Sequence, residues 1–141
     1  PLALEGRGQA TALAPEARPR DLAAGEKLTL EVAGEGVRLT GDGWSLTAPA
    51  LRLTAPLLRA GGHRYPDELE VSLDPEEPAS LRLVNGVDLE RYLEGVLPGE
   101  LPPRFHLEAQ KALAVAARSY ALVQRGKHGE FDLCDQTCCQ M

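Results

Sequence analysis

The hydrophobic period changes once along this chain, and that change decides which fold classes are open to it. From Lys27 onward, Leu28, Leu30 and Val32 alternate with polar residues, and Val37 and Leu39, Trp44 and Leu46, and Leu51 and Leu53 repeat the alternation. Gly34, Gly36, Gly41 and Gly43 fall at the breaks. Successive strand side chains point to opposite faces, so a period of two with turn signals about every eight residues predicts a small antiparallel sheet. Leu69, Val71 and Leu73 share one face of a further strand, "DPEEP" reads as a turn, and Leu81, Leu83 and Val84 begin the next strand. Asn85-Gly86 is expected to close it, because that pair suits the left-handed backbone of tight turns. The tetrapeptide "LTAP" occurs at 46–49 and again at 53–56, a copy short enough to be two similar strand ends. Residues 1–26 hold few periodic apolar positions and read as a loosely structured lead-in with room for one strand.

Beyond Gly86 the spacing lengthens toward four. Asp88 is a fitting N-cap for a helix whose one face carries Leu89, Tyr92, Leu93, Val96 and Leu97, and Pro98-Gly99 is expected to end it. After Pro102-Pro103, "HLEAQKALAVAARSYALVQRG" is rich in good helix formers, with His106 expected to open the helix and Gly126 to cap it. Leu107, Ala109, Ala112, Leu113, Ala116, Tyr120 and Val123 form its expected buried stripe. The predicted class is therefore α+β: a small antiparallel β-sheet region, a short helix, and a long Ala-rich buried helix.

Size and charge narrow the function. The chain has 141 residues, enough for about one domain, and 43% apolar residues can build a core. A net charge of −6 with no stripe of Lys or Arg argues against nucleic acid as a partner, since affinity for a phosphate backbone comes from clustered cations. No stretch approaches the roughly 20 apolar residues of a membrane span, and "PLALEGRGQA" lacks a basic segment followed by an apolar one. The opening proline is read as the mark of an upstream signal peptide or anchor already removed, with any membrane attachment lying outside this chain.

Two places could carry chemistry. Glu100 lies in "VLPGELPP", flanked by Leu97, Leu101 and three prolines. Partial burial there would raise its pKa and suit it to donate a proton near neutral pH; the alternative is a solvated turn glutamate. Glu94 and Glu108 read as solvent-face residues of their helices. The second place is the tail "KHGEFDLCDQTCCQM", which holds His128, Cys134, Cys138 and Cys139. Imidazole and thiolate are the donors tetrahedral zinc prefers, and four within twelve residues can fill its shell. A Cys134–Cys139 disulfide and buried free thiols are the competing readings. Arg118 either pairs with a solvent-face acid such as Glu108 or reaches the groove beside Glu100.

Taken together, "VNGVDLERYLEGVLPGELPPRFHLEAQKALAVAARSYAL" and "FDLCDQTCCQ" resemble the SpoIID/LytB family of sporulation and cell-envelope proteins, over about residues 63–141. The resemblance implies an N-terminal β-rich segment at 1–62 with no assignable motif, and at 63–141 the N-terminal part of an incomplete SpoIID-like domain. It implies that Glu100 is the general acid/base of a peptidoglycan lytic transglycosylase that leaves 1,6-anhydro-N-acetylmuramic acid ends. It also implies that Arg118 and Tyr92 contact substrate, and that His128, Cys134, Cys138 and Cys139 hold a structural zinc ion, Cys138 standing where relatives often have histidine. The expected partners are glycan strands and other cell-wall hydrolases, and the expected location is extracytoplasmic, in the cell envelope. In the LytB branch the same chain type binds glycan or stimulates an amidase without cleaving. Two departures stand out: Leu101 replaces the family's methionine, and Tyr65-Pro66-Asp67 replaces its tyrosine-arginine-glycine.

Overall fold

The computed structural model describes residues 2–15, 17–102, 104–134 and 139. They form nine strands followed by two helices: β1 (Leu2–Glu5), β2 (Gly8–Ala12), β3 (Arg20–Leu22), β4 (Lys27–Ala33), β5 (Gly36–Gly41), β6 (Trp44–Ala48), β7 (Ala50–Ala60), β8 (His63–Leu73), β9 (Leu81–Gly86), α1 (Leu89–Glu100) and α2 (Leu107–Val123). The class is α+β, as the change of period predicts. The chain divides into two compact units, 1–86 and 87–141. Residue 62, where the sequence reading divides an N-terminal β-rich segment from the rest, lies in the tight connection between β7 and β8, which pair along nearly their whole length.

All strand pairs of the first unit are antiparallel. β7 is its axis: β8 takes one edge, and β1 and β2 share the other end to end, against Leu57–Ala60 and Leu51–Thr54 respectively. The first 26 residues thus supply three strands, not one. Their apolar residues are sparse because the partner strand brings most of the burial, leaving Ala10 and Leu22 to face the core. Leu28, Val37, Leu39, Leu51, Leu53, Leu58, Leu69 and Val71 fill that core, each at most 1% exposed. On the outer face the polar alternates pair across strands: Arg38 reaches Glu31 and Thr47, and Arg52 reaches Glu68 and Glu70. Gly41 is required where it stands, because a Cβ there would collide with the indole of Trp44.

The two copies of "LTAP" have different fates. The first ends β6, with Pro49 between strands, whereas the second runs through the middle of β7. There the register passes from Ala55–Asp67 to Leu57–Pro66, so Pro56 is skipped as a β-bulge. One extra residue inverts the alternation. Leu51, Leu53 and Ala55 face the core before the bulge, and Leu58 and Ala60 after it. Opposite the bulge, Asp67 adopts φ 66°, and the amide of Asn85 donates to the carbonyls of Pro66 (2.7 Å) and Glu68 (2.5 Å). Asn85-Gly86 therefore does not turn the chain. Both residues lie within β9, and the asparagine braces its neighbour's irregular strand through its side chain.

The helices correct two expectations. α1 continues through Pro98 to Glu100, closed by the Leu101 amide on the Leu97 carbonyl at 3.0 Å. Proline has no N–H, so Pro98 forfeits one helix hydrogen bond, but the Leu101 amide still closes the last turn. α2 is not largely buried. Leu107 and Val123 are 60% and 80% exposed, and the face turned inward centres on Ala117 and Ala121. An alanine-rich helix has little difference between its faces, so its sequence orients it poorly. Leu58→Ala should accordingly cost about 2–5 kcal/mol in urea unfolding, and Leu107→Ala within about 0.5 kcal/mol of nothing.

Candidate functional site

The second unit carries every residue that the sequence singles out for chemistry. Asp88 caps α1 by accepting the Arg91 amide at 3.0 Å, and His106 caps α2 by accepting the Glu108 amide at 3.2 Å through Nδ1. Leu93 and Val96 are buried beneath α1, with Leu89, Tyr92 and Leu97 half-buried beside them. Arg118 pairs with neither Glu108 nor Glu100. Its guanidinium forks onto Glu90, Nε to Oε1 at 2.9 Å and Nη2 to Oε2 at 2.6 Å, tying α2 to α1. That hydrogen-bonded guanidinium holds the Glu90 carboxyl below its ordinary range and lifts Arg118 in turn. Glu108 takes Lys111 instead, at 2.8 Å.

Glu100 is the last residue of α1 and is exposed, not tucked among its prolines. Continuation of the helix past Pro98 is the cause, since it carries the carboxylate out on the final turn. Leu97, Pro98, Leu101, Gln110 and Leu113 line a shallow recess of about 80 Å³ beside the end of α1. Its walls are mostly apolar, and Gln110 is held by donation to the Phe105 carbonyl at 2.8 Å. An acid next to an apolar hollow can receive a ligand with both polar and apolar faces.

Tyr92 is half-buried on α1. Its hydroxyl is buried and has no hydrogen-bond partner among the described residues. Burial pushes the phenol up from its ordinary pKa, and the fields of Cys139, Tyr120 and Glu100 push the same way. It remains a neutral O–H donor over any physiological range.

The residues after α2 fold back on themselves. Gly126 turns the chain with φ 70°, its amide donates to Asp132 Oδ1 at 2.7 Å, and the His128 amide reaches the Phe131 carbonyl at 3.3 Å. Phe131 stacks on the His128 ring, with centroids 4.9 Å apart and planes 15° apart. This fixes the imidazole with Nε2 at 3.1 Å from Cys139 Sγ. The donor atoms of His128, Cys134 and Cys139 all lie within 4.8 Å of one another, Cys139 buried and the other two partly so. Neighbouring donors on a tetrahedral zinc ion with Zn–S bonds of 2.3 Å are roughly 3.8 Å apart, so three ligands stand close to the spacing such an ion needs. Cys134 and Cys139 are not joined to each other by a disulfide, and Cys138 lies outside the described residues. Lys127 Nζ lies 3.9 Å from Cys139 Sγ.

Sequence reasoning missed Glu90, Lys127 and Phe131. Glu90 is 28 residues from Arg118, beyond any local pattern. The other two had a local signal: a cation beside a candidate ligand, and an aromatic three residues past it.

Residues 77–141 match the family model SpoIID, described as Stage II sporulation protein. The likeness to SpoIID is confined to that stretch. The SpoIID match takes in β9, both helices and the His/Cys loop, leaves β1–β8 outside, and assigns the segment to a sporulation-related, cell-wall-related family. An uncharacterized protein of Brachyspira hyodysenteriae is 52% identical over 40 residues, a stretch covering 28% of this chain and 11% of that protein. No solved structure matches. Among the described residues, no helix is long and apolar enough to cross a membrane.

Proposed function

We propose that this chain is part of a peptidoglycan lytic transglycosylase of the cell envelope, with Glu100 as its general acid and base. The SpoIID match across Glu100 carries the reading, and the apolar recess beside an exposed carboxylate supports it. A glycan strand seated across the end of α1 brings a glycosidic oxygen within reach of Glu100. Glu100 then gives its proton to the oxygen joining N-acetylmuramic acid to N-acetylglucosamine as the bond from C1 to that oxygen breaks. The resulting carboxylate takes the proton of the muramoyl 6-hydroxyl as O6 bonds to C1. Water is not consumed, and one carboxylate serves both halves.

His128, Cys134 and Cys139, with Cys138 as the expected fourth donor, would hold a structural zinc ion that fastens the loop after α2. Two soft sulfurs and an imidazole are a donor set suited to zinc. The ion supplies cross-linking and no part of the proton transfer.

The exposure of Glu100 favours one rival, a module that holds glycan or stimulates a separate amidase. Incubation of the intact protein with peptidoglycan, both whole and stripped of stem peptides, followed by mass spectrometry, separates the two. Anhydromuramoyl ends are expected from the enzyme. Retention on the polymer with no new anhydro ends would replace that reading with the rival.

A further inference from the structure

Two rows on the outer face of the sheet match opposite charges, and a third does not. Arg38 stands in register with Glu31 and Arg52 with Glu70, each pair closed at 3.3 Å. Toward the β7–β8 connection, Lys27 pairs with Ala3, Ala3 with Arg59, and Arg59 with Arg64, so β4, β1, β7 and β8 set three cations and one small residue in a single line. The adjoining Leu28 and Leu58 face the core, so this line faces away from it, and all four of its residues are exposed. Adjacent strands lie about 4.8 Å apart, which puts Arg59 and Arg64 side by side and spreads the line over about 14 Å. Like charges directly opposite each other are destabilising. Among the described residues, the side chains of Lys27 and Arg64 make no ion pair or hydrogen bond. The next row, Glu5, Leu57 and Pro66, contributes a single acidic position. In a chain of net charge −6 the line is a local reversal of sign, hidden from the sequence because its members come from separate strands.

We infer that this line is a docking surface for peptidoglycan, on which Lys27, Arg59 and Arg64 bind the carboxylates of stem peptides. The inference rests on the cell-envelope reading above and not on the chemistry of Glu100. In intact peptidoglycan the lactyl group of muramic acid is tied up as an amide, so the polymer's carboxylates belong to its peptides. A guanidinium forks onto a carboxylate through two parallel hydrogen bonds, and two guanidiniums side by side can hold one carboxylate each or share one. The short side chain of Ala3 leaves the line open between Lys27 and Arg59. A bound carboxylate turns the opposition of Arg59 and Arg64 from a cost into a shared attraction. Three cations fall short of the roughly six to ten phosphate contacts typical of a nucleic-acid binder, so that partner remains a poor fit.

Retention of the intact protein on whole peptidoglycan, freed of phosphate-bearing polymers, is compared with retention on the same material after its carboxylates are capped as neutral amides. Wild type is expected to bind the capped polymer more weakly, and its binding to the uncapped polymer should fall as salt is added. Lys27→Gln combined with Arg64→Gln should weaken binding to the uncapped polymer by about 3–25-fold, the product of two exposed ion pairs, and leave binding to the capped polymer unchanged. Both side chains are exposed, so the melting temperature should hold or rise as the like-charge opposition is relieved. Arg38→Gln, whose charge Glu31 already matches, should bind as wild type does. Equal retention of the double variant and wild type, or of wild type on capped and uncapped polymer, would overturn the docking surface. Retention that depends on leaving phosphate-bearing polymers in place would overturn it too. Release of anhydromuramoyl ends reads Glu100 separately: absence of those ends with carboxylate-dependent retention intact removes the transglycosylase reading and leaves this surface standing.

Discussion

Glu100→Gln is expected to lower release of anhydromuramoyl products by about 10²- to 10⁴-fold, the usual contribution of a positioned general acid. Glutamine keeps the size and most of the polarity of the side chain, but has no acidic proton to pass to a leaving sugar oxygen. The residue is exposed at the end of α1, so the substitution removes no buried contact, and stability should stay within about 0.5 kcal/mol of wild type. A loss of product with an unchanged melting temperature and unchanged retention on peptidoglycan therefore isolates the chemistry. Undiminished anhydro ends from the variant would remove Glu100 from the mechanism whatever the family match implies. Arg118→Met is the informative companion, since it breaks the fork onto Glu90 and should loosen α1 against α2 without touching the carboxylate.

Removal of the proposed zinc ion should have the second largest effect. A ligand present at a thousand times its dissociation constant stabilises the state that binds it by about 4 kcal/mol, so chelation should lower the melting temperature of the metal-loaded protein by roughly 15 °C or more. Zinc restored in equimolar amount should reverse the change. Affinity should fall as the pH is lowered, because thiols and imidazole must lose their protons to ligate and acid returns them. Elemental analysis showing no metal in protein purified under reducing conditions would count against the site, and a mass two units below the reduced value would indicate a disulfide instead.

Legibility differed between elements for physical reasons. Strands β4 to β6 and β8 announced themselves because one of their faces is packed and the other is wet, which writes a period of two into the residues. β1 to β3 did not, since short strands bury one or two side chains each and leave no period to detect. The bulge at Pro56 was visible only as a proline inside a strand pattern, and its consequence, the switch of core-facing parity from Leu53 to Leu58, depends on pairing with β8. Asn85 was misread for a related reason. Its identity suits a tight turn, but the carbonyls of Pro66 and Glu68 offered its amide two acceptors across the sheet.

The site divides in the same way. Sequence alone determined the change from sheet to helices at Gly86, the Asp88 and His106 caps and the apolar face of α1, because each depends on residues close together in the chain. Only the tertiary structure decided that Arg118 holds Glu90, that Glu100 stands in solvent beside an apolar recess, that α2 turns Ala117 and Ala121 inward, and that the Tyr92 hydroxyl is sealed without a partner. Ion-pair choice and side-chain burial depend on which surfaces meet, and neighbours in space leave no period in the sequence.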